Sequence, residues 1–593
     1  MQTSALPVPP MTRAWLGCMR LHDAQAARAT VVAAIEAGVR IFDSAAAYGP
    51  DAKSPHHNER ILAEIVSARA GAEALEISTK VGMTRAGPRW IADGRAKAIA
   101  EGAEASRRAL GVDALDWVLL HAPDPRVKWS TTVRALGRLA RDGVARRVGL
   151  CNVTVAQLQE AADVFDVAAV QVELSLRRTT ALRGGVFDWC AARDVPLLAH
   201  RPLGGPEGAA RLGKDPVLSA IAARHATTSA AVALAWLRSL HPGVTPVVGC
   251  SRPETAAQLA VDVALTDDDL AALDARCPAA DIARRPVAQR RPSDEADGDV
   301  LIVMGSPGAG KSTYARARVD DGYARLNRDE RGGRLAQLIG PLSQWLADGQ
   351  RRVVLDNTYP TRASRNEVIE AAWAAGVPAR CVLVDPPMSR AAVQVCIRML
   401  QRYGRLLAGD ELAAVAKQDP QAFGPSVLTR FAQQLERPVL GEGFAEVIVR
   451  KAEPLRSFGQ ARGLFVEVDG VLLDDDGAPR RERAPWLRRH ADEGWALHAL
   501  AWRPGVDPDE VARWWDEVTD ALGVVMTLHT CPHPAGPAVC WCRKPQPGLL
   551  VQACLADGLD PSQCLYVGRT RVDETHAGTL DIPYVDHADV AFS

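Results

Sequence analysis

The chain has 593 residues, of which 47% are hydrophobic and 24% are charged. This composition is typical of globular proteins and argues against a disordered or fibrous chain. The chain contains 70 lysines and arginines and 71 aspartates and glutamates, so its formal net charge is −1. That balance excludes a uniformly basic nucleic-acid coat, although it allows a local basic groove. At roughly 150 residues per domain, the length predicts three or four domains.

The N-terminus, MQTSALPVPP, lacks the basic start and apolar core of a signal peptide. No uninterrupted apolar stretch reaches the roughly 18 residues that a membrane span needs. Twelve cysteines are too few for a disulfide scaffold in a chain of this length. We therefore expect a cytoplasmic protein that has no membrane span.

Residues 1–285 alternate short β-branched segments with alanine-rich helical ones. Eight segments have strand character, and they lie near residue 15 and at 40–45, 75–80, 117–122, 146–152, 167–174, 195–200 and 245–250. Eight strand–helix units within about 250 residues predict a (β/α)8 TIM barrel. Residues 286–298 have the composition of a linker, and a tail that caps the barrel is the alternative for 278–298.

Two further α/β patterns follow the barrel. The first covers 299–455 and begins with DVLIVMGSPGAGKST, which predicts a P-loop NTPase-type parallel sheet. The second covers 462–593 and begins with RGLFVEVDGVLL. The sequence therefore predicts a multidomain α/β protein.

Four polar residues fall at predicted C-terminal strand ends of the barrel, where barrel enzymes hold their active sites. Asp43 ends the second strand, Tyr48 follows it, Lys80 ends the third strand and His121 ends the fourth. We expect the Lys80 ammonium, held by Asp43, to lower the pKa of Tyr48 from its usual value of about 10. Tyr48 would then donate a proton to a carbonyl oxygen that His121 orients.

The segments GVRIFDSAAAYG, ISTKVG and LLHAPDP carry these four residues and resemble motifs of the aldo-keto reductases. The resemblance covers about the first 285 residues and implies reduction of a small carbonyl substrate with NADPH. It implies nicotinamide contacts from Cys151, Asn152 and Gln171, and phosphate contacts from Ser251, Arg252, Glu254 and Gln258. Two departures from the family are His200-Arg201, where Tyr-Ser is common, and Cys151, where Ser is common.

The segment GSPGAGKST at 305–313 fits the pattern G-x-x-x-x-G-K-[ST] directly after an apolar strand. Gly305, Gly308 and Gly310 allow backbone N–H groups to close on phosphate oxygens. Lys311 would reach the β- and γ-phosphates of ATP, and Ser312, followed by Thr313, would bind Mg²⁺.

Residues after the P-loop indicate a phosphotransferase. Asp329 is a candidate to accept the proton of an attacking hydroxyl, and Asp356 ends a strand. Arg398 and Arg402 lie four residues apart, on one helix face, and would form a lid over the transferred phosphate.

With the triplets NRD (327–329) and DNT (356–358) and the lid at 398–404, the segment resembles the polynucleotide 5′-kinases. The resemblance implies that Asp329 is the general base and Asp356 a second carboxylate on the acceptor side. Gly332 stands where the family has an acceptor-phosphate arginine, and Arg331 or Arg334 would have to replace it.

The segment LFVEVDGVLL at 464–473 resembles the first strand of HAD-type phosphatases, which carry D-x-D-G, and implies a Rossmannoid domain. Glu467 stands at the nucleophile position, Ala501 replaces Thr or Ser, and Arg569 replaces a Mg²⁺-binding carboxylate, whereas Lys544 is retained. We therefore expect no phosphatase activity. An alternative register places the motif at Asp474-Asp475-Asp476-Gly477.

Cys531, His533, Cys540 and Cys542 form the pattern C-x-H-x6-C-x-C. Three thiolates and one imidazole are a typical ligand set for tetrahedral structural Zn²⁺, with no open position for catalysis. Similar loops occur in sugar-bisphosphate phosphatases of the HAD group. Free thiols in a proline-rich loop are the alternative.

Three hypotheses on function remain. The first is an end-repair kinase that phosphorylates 5′-hydroxyl ends of RNA or DNA and is fused to a carbonyl reductase. The second is a sugar or nucleoside kinase fused to a reductase within one metabolic pathway. The third is a non-enzymatic scaffold, which the intact P-loop and the barrel residues disfavour.

Overall fold

The computed structural model describes residues 14–69, 74–451, 458–536 and 540–592. The chain forms two compact units, one of Met1–Arg291 with Thr361–Glu367 and the other of Pro292–Pro360 with Val368–Ser593. The first unit contains a closed barrel, and the second contains two five-stranded sheets.

The barrel has eight strands, and every neighbouring pair in it is parallel. The strands of this region are β1 (Trp15–Gly17), β2 (Ile41–Asp43), β3 (Glu76–Val81), β4 (Met83–Ala86), β5 (Arg89–Ala92), β6 (Leu115–Leu120), β7 (Ala145–Cys151), β8 (Val167–Glu173), β9 (Leu197–His200) and β10 (Val244–Gly249). Around the barrel the order is β1-β10-β9-β8-β7-β6-β3-β2, whereas β4 and β5 form a separate antiparallel hairpin. This confirms the predicted α/β class and its eight strands.

Helices surround the strands. They are α1 (Ala24–Glu36), α2 (His57–Ser67), α3 (Ala96–Leu110), α4 (Trp129–Arg141), α5 (Val155–Ala162), α6 (Thr180–Arg183), α7 (Val186–Ala191), α8 (Gly205–Leu212), α9 (Pro216–Arg224), α10 (Ser229–Leu240), α11 (Pro253–Ala257), α12 (Asp267–Arg276), α13 (Ala280–Arg284) and α14 (Val287–Arg290). Ala280 and Ile282 of α13 are buried, and Arg284 donates to the Asp274 carboxylate at 2.9 Å. Residues 280–284 therefore pack on the barrel, and α14 lies within the stretch that we predicted as a linker.

Successive side chains of strand β6 belong alternately to two hydrophobic clusters. Trp117 and Leu119 belong to the cluster inside the barrel, whereas Val118 and Leu120 belong to the cluster beneath the helices. Side chains alternate across a strand, so a strand that is buried on both faces needs an unbroken apolar run. This is why residues 117–120 of β6 read WVLL.

The middle sheet is parallel, with the order β12-β13-β11-β14-β15. Its strands are β11 (Asp299–Gly305), β12 (Ala324–Leu326), β13 (Arg352–Asp356), β14 (Ala379–Val384) and β15 (Glu446–Arg450). The helices between them are α15 (Lys311–Asp320), α16 (Arg328–Arg331), α17 (Ile339–Ala347), α18 (Arg362–Ala374), α19 (Met388–Tyr403), α20 (Gly409–Val415) and α21 (Pro425–Gln434).

The C-terminal sheet is also parallel, with the order β18-β17-β16-β19-β20. Its strands are β16 (Gly463–Glu467), β17 (Ala496–Trp502), β18 (Thr527–Cys531), β19 (Leu565–Gly568) and β20 (Tyr584–Asp586). Its helices are α22 (Ala484–Asp492), α23 (Pro508–Leu522), α24 (Gly548–Asp557) and α25 (Arg571–Ala577).

None of the helices that the structure describes has, on its own, both the length and the apolar character to span a bilayer. The bent pair Pro216–Arg224 and Ser229–Leu240, with 92° between the helices, passes by length and composition only.

Candidate active sites

The barrel brings together the four polar residues that the sequence singled out. The Nζ atom of Lys80 lies 2.6 Å from Oδ2 of Asp43 and 3.4 Å from the hydroxyl oxygen of Tyr48. The His121 ring meets the Tyr48 ring edge to face, with centroids 5.7 Å apart. All four residues follow or end strands at the C-terminal mouth of the barrel, as predicted.

Burial, more than charge, sets the protonation state of this site. Burial raises the pKa of Tyr48 to about 12, although the neighbouring Lys80 ammonium acts in the opposite direction. Our expectation of a lowered tyrosine pKa was therefore wrong, because desolvation of the phenolate outweighs the ammonium. Burial, with the charge of Lys80, lowers the pKa of His121 to about 3, so this imidazole is neutral near pH 7.

Lys80 remains charged despite complete burial. Burial by itself disfavours the ammonium, but the Asp43 carboxylate outweighs it and the pKa of Lys80 is raised. Tyr48 therefore stands as a protonated hydroxyl beside a fixed positive charge. Such a group can donate a proton to an oxygen on which negative charge develops.

An aromatic side chain that the sequence analysis missed borders the site. Trp90 lies on hairpin strand β5, with ring centroids 6.2 Å from Tyr48 and 5.8 Å from His121. The Arg85 guanidinium lies over the Trp90 ring at 5.3 Å and donates to the Gly49 carbonyl at 2.9 Å. The only signal in the sequence was a tryptophan between turn residues shortly after Lys80.

The residues predicted to face a nicotinamide occupy two adjacent strand ends. Gln171 is buried and donates its amide to Oδ1 of Asp43 at 3.0 Å. Cys151 is buried 4.0 Å from the Gln171 side chain, and Asn152 follows it with a positive φ of 58°. His200 contacts Oδ1 of Asn152 at 3.1 Å, so the residue that replaces the common tyrosine joins this group.

The predicted phosphate segment lies at the start of α11, directly after strand β10. The side chains of Ser251, Arg252, Glu254 and Gln258 are exposed, whereas Ala256 is buried against the barrel. The segment thus presents a hydroxyl, a guanidinium and an amide to solvent at one edge of the barrel.

The P-loop follows β11 and leads into α15. A Cβ atom on Gly305 would lie 2.2 Å from the Val384 carbonyl oxygen, and one on Gly308 would lie 2.5 Å from the Ala391 carbonyl oxygen. Only glycine fits at these two positions. Lys311 donates to the Ser306 carbonyl at 2.8 Å, and burial lowers its pKa to about 8.

A cleft of about 580 Å³ opens at the P-loop. Among the predicted residues, its lining contains Gly308, Gly310, Lys311, Ser312, Thr313, Asp329, Asp356 and Arg398. The cleft therefore joins the phosphate cradle to the proposed base. Arg402 is not among the residues described as lining the cleft. Its Nε atom pairs instead with Asp419 at 2.8 Å.

Asp329 is held by a buried polar network. Asn327 accepts from the Asp329 backbone N–H at 2.7 Å and donates to Oδ1 of Asp356 at 2.7 Å. Oδ2 of Asp356 is bound by Arg325 at 2.8 Å. Both oxygens of Asp356 are thus engaged, and this carboxylate anchors the turn that carries Asp329.

Three arginines give the cleft its charge. Arg316, Arg398 and Arg430 line it, and none has a hydrogen-bond or ion-pair partner within the described ranges. The sequence analysis missed Arg316 and Arg430, which had no motif around them. Arg331 lies over the Trp345 ring at 5.0 Å and does not line the cleft as described.

The C-terminal sheet carries the acidic positions at its strand ends. Lys544 contacts Oε2 of Glu467 at 2.5 Å and Oδ1 of Asp573 at 2.6 Å. Asp469 is held by both terminal nitrogens of Arg503 at 2.8 Å. Arg569 pairs with Asp475 at 3.0 Å, so each of these carboxylates contacts a cation of the chain itself, although Glu467 and Asp573 share Lys544.

The four candidate zinc ligands converge. The ligand atoms of Cys531, His533, Cys540 and Cys542 all lie within 4.8 Å of one another, and the three thiols are buried. The Nδ1 atom of His533 lies 3.1 Å from the Cys542 sulfur. This spacing fits tetrahedral coordination, in which sulfur and nitrogen lie about 2.0–2.3 Å from the zinc.

A closed parallel barrel with Tyr48, Lys80, Asp43 and His121 at its mouth defines an oxidoreductase barrel. The family model described as "Aldo/keto reductase family" matches residues 15–276, and one described as "AAA domain" matches residues 300–405. An aldo-keto reductase of a Mycobacterium species is 31% identical over 265 residues, which is 44% of this chain and 84% of the relative. The chain belongs to the aldo/keto reductase family through its barrel. A kinase-like P-loop domain follows the barrel in the sequence.

Further similarities also lie in the barrel region. An uncharacterised oxidoreductase of Schizosaccharomyces pombe is 27% identical over 274 residues, which is 46% of this chain and 85% of the relative. The structure of an aldo-keto reductase from Klebsiella pneumoniae in complex with NADPH is 25% identical, with a TM-score of 0.38, and covers 45% of this chain and 91% of that one. A glycerol dehydrogenase from Gluconobacter oxydans is 20% identical, with a TM-score of 0.39, over 46% of this chain and 95% of that one.

Proposed function

We propose that the barrel reduces a small carbonyl compound with NADPH. The observation that carries this is the contact of Lys80 with both Asp43 and Tyr48 at the barrel mouth. The cofactor's hydride would reduce the carbonyl carbon. The Nδ1 atom of His121 is buried and has no hydrogen-bond partner among the described residues.

In this proposal Tyr48 donates its proton to the carbonyl oxygen as negative charge develops there. Lys80 stabilises the phenolate that results, and neutral His121 orients the oxygen. Gln171 and Asn152 would bind the carboxamide of the nicotinamide. Arg252, exposed at the start of α11, would pair with a 2′-phosphate and so favour NADPH over NADH.

We further propose that the P-loop domain transfers the γ-phosphate of ATP to a 5′-hydroxyl end of RNA or DNA. The observation that carries this is one cleft that contains the phosphate cradle, Asp329 and three unpaired arginines. A cleft with this excess of positive charge suits ATP and a nucleic-acid end, because both substrates carry negatively charged phosphates.

Four residues of the cleft would have separate roles in the transfer. Arg328 binds Oδ1 of Asp329 at 2.7 Å, and Oδ2 accepts no hydrogen bond from the described residues. Oδ2 is therefore free to take the proton of the acceptor hydroxyl. Lys311 and Arg398 would stabilise charge on the transferred phosphate, and Ser312 would hold Mg²⁺, which would supply further positive charge there.

A small sugar or nucleoside is the second candidate acceptor. Gly332 offers no guanidinium, Arg331 lies over the Trp345 ring, and neither Arg331 nor Arg334 is among the residues described as lining the cleft. An acceptor without a phosphate would not need the arginine that the polynucleotide kinases provide. Arg316 or Arg430 would replace that contact if the acceptor is a nucleic acid.

Labelled ATP with a 5′-hydroxyl oligonucleotide tests the proposal. We expect transfer of label to the oligonucleotide and its loss in Asp329→Asn, while Glu330→Gln, one residue further, retains activity. Label on a nucleoside or sugar but not on the oligonucleotide would favour the second candidate. Labelling that persists in Asp329→Asn would refute the assignment of the base.

For the C-terminal domain we propose a HAD-like fold that binds structural zinc and has no phosphatase activity. The support is the pairing of Asp469 with Arg503 and of Glu467 with Lys544, which engages both carboxylates of the motif. Burial, against the charge of Lys544, also raises the pKa of Glu467 to about 7, which weakens it as a nucleophile. Release of a 3′-terminal phosphate that depends on Asp469 would refute this.

A further inference from the structure

Trp541 connects the candidate zinc loop to the phosphotransferase cleft. This tryptophan stands between two zinc-ligand positions, Cys540 and Cys542, and is fully buried. Its Nε1 atom donates a hydrogen bond of 2.7 Å to the backbone carbonyl of Phe423. The two rings also meet edge to face, with centroids 6.3 Å apart.

Phe423 belongs to the wall of the cleft. We call residues 416–423 the cleft wall, because Ala416, Pro420, Gln421, Ala422 and Phe423 all line the cleft. This segment follows α20 and precedes α21 without forming a helix or strand of its own over 420–423. Its conformation therefore depends on its tertiary contacts.

Contacts at two positions hold the cleft wall. Near its centre, Asp419 pairs with Arg402 at 2.8 Å and accepts a hydrogen bond from Tyr403, both at the end of lid helix α19. At its end, Phe423 is held by Trp541. The wall thus connects the helix that carries Arg398 with the loop that would bind zinc.

The lid helix is itself packed on the C-terminal domain. Val395 and Met399 of α19 share one hydrophobic cluster with Trp541 and with Leu550 of α24. Because the contact is buried and apolar, it stabilises the position of α19 and so of Arg398, which lies on the same helix. A C-terminal domain without phosphatase activity therefore still has a reason to be joined to the P-loop domain.

We propose that Trp541 is a positioning residue for the phosphotransferase, through which the zinc loop of the C-terminal domain sets the wall of the nucleotide cleft. This inference rests on the kinase function proposed above. Loss of the Nε1 donor removes the hydrogen bond that holds the partly buried carbonyl of Phe423, and the wall then relaxes. Substrate binding weakens, whereas Lys311 and Asp329, on other elements, keep their geometry.

The test compares Trp541→Phe with the matched control Trp515→Phe in the full chain. Trp515 is also buried in the C-terminal domain and donates Nε1 to a backbone carbonyl, that of Met526, at 3.0 Å, but it does not touch the cleft wall. Titration with a non-hydrolysable ATP analogue and kinase kinetics give the readouts. We expect Trp541→Phe to raise the dissociation constant or the KM of at least one substrate about three- to tenfold, with kcat changed less than about twofold.

A second variant approaches the contact from the other side. Phe423→Leu removes the ring contact without altering the zinc loop, and we expect it to raise the same constant. Equal behaviour of Trp541→Phe and Trp515→Phe, loss of zinc from Trp541→Phe, or no effect of Phe423→Leu would each overturn the positioning role. Wild-type protein that binds no ATP analogue would instead refute the kinase proposal itself.

Discussion

The ammonium of Lys80 lies 3.4 Å from the hydroxyl of Tyr48, in a site where both side chains are almost fully buried. In the reaction proposed for the barrel, this pair would allow a tyrosine to act as a proton donor near neutral pH. The burial that raises its pKa keeps the proton in place, and the fixed positive charge stabilises the phenolate once the proton has gone.

Replacement of Tyr48 by Phe removes the proton donor while the ring still packs against His121. We expect kcat for carbonyl reduction to fall by a factor of ~10² to 10⁴, the range for loss of a general acid. NADPH binding, followed by fluorescence titration, should remain unchanged. Tyr323→Phe is the control, because its hydroxyl contacts Asp299 in the P-loop domain. A fall of less than about threefold in Tyr48→Phe would contradict the role.

The pH dependence of reduction follows from the same burial. With the pKa of Tyr48 at about 12 and that of His121 at about 3, Tyr48 is protonated and His121 is neutral throughout the range from about pH 5 to 9. We expect kcat to be flat across that range in a pH–rate profile. A decline near the ordinary histidine pKa of about 6.5 that disappears in His121→Gln would show that the imidazole titrates during turnover.

Substitution of Lys311 by Ala tests whether the two nucleotide sites act independently. The side chain reaches the phosphates from within the P-loop, so we expect phosphoryl transfer to fall below detection. NADPH titration and carbonyl reduction should be unchanged, because the barrel has its own core and its own cofactor segment. Simultaneous loss of both activities would show that the domains depend on each other.

Arg398 and Arg402 differ in the structure, although the sequence predicts the same role for both. Arg398 lines the cleft without a partner among the described residues, whereas Arg402 is neutralised by Asp419. We expect Arg398→Ala to lower kcat for phosphoryl transfer by a factor of ~10² to 10³ and Arg402→Ala by less than about tenfold. Equal losses in steady-state kinetics would indicate that the lid moves Arg402 into the cleft.

Zinc content tests the cysteine cluster. We expect about one zinc per chain by atomic spectroscopy, since four ligands form one closed site. A strong chelator should lower the melting temperature, because metal binding contributes directly to folding of such a loop. Cys542→Ser should lose the metal, whereas Cys564→Ser, a buried thiol that donates to the Asp560 carbonyl, should keep it. Metal-free wild-type protein would refute the site.

Much of the barrel could be predicted from local sequence. The alternation of short apolar segments with helical ones predicted all eight strands, and Asp43, Lys80 and His121 could be placed at their ends by counting. Hairpin β4–β5 was missed, because two four-residue strands, each with one arginine, lack the apolar pattern that indicates a strand. Trp90 was missed with it.

The sequence by itself determined the α/β class, the eight-stranded barrel and the P-loop domain, because strand patterns and P-loops are encoded over a few consecutive positions. Only the tertiary structure showed that burial raises the pKa of Tyr48 and that Arg402 pairs with Asp419 and does not line the cleft as described. The hydrogen bond from Trp541 to Phe423 is likewise visible only in the tertiary structure. Those properties depend on burial and on partners that are distant along the chain, and no local pattern contains them.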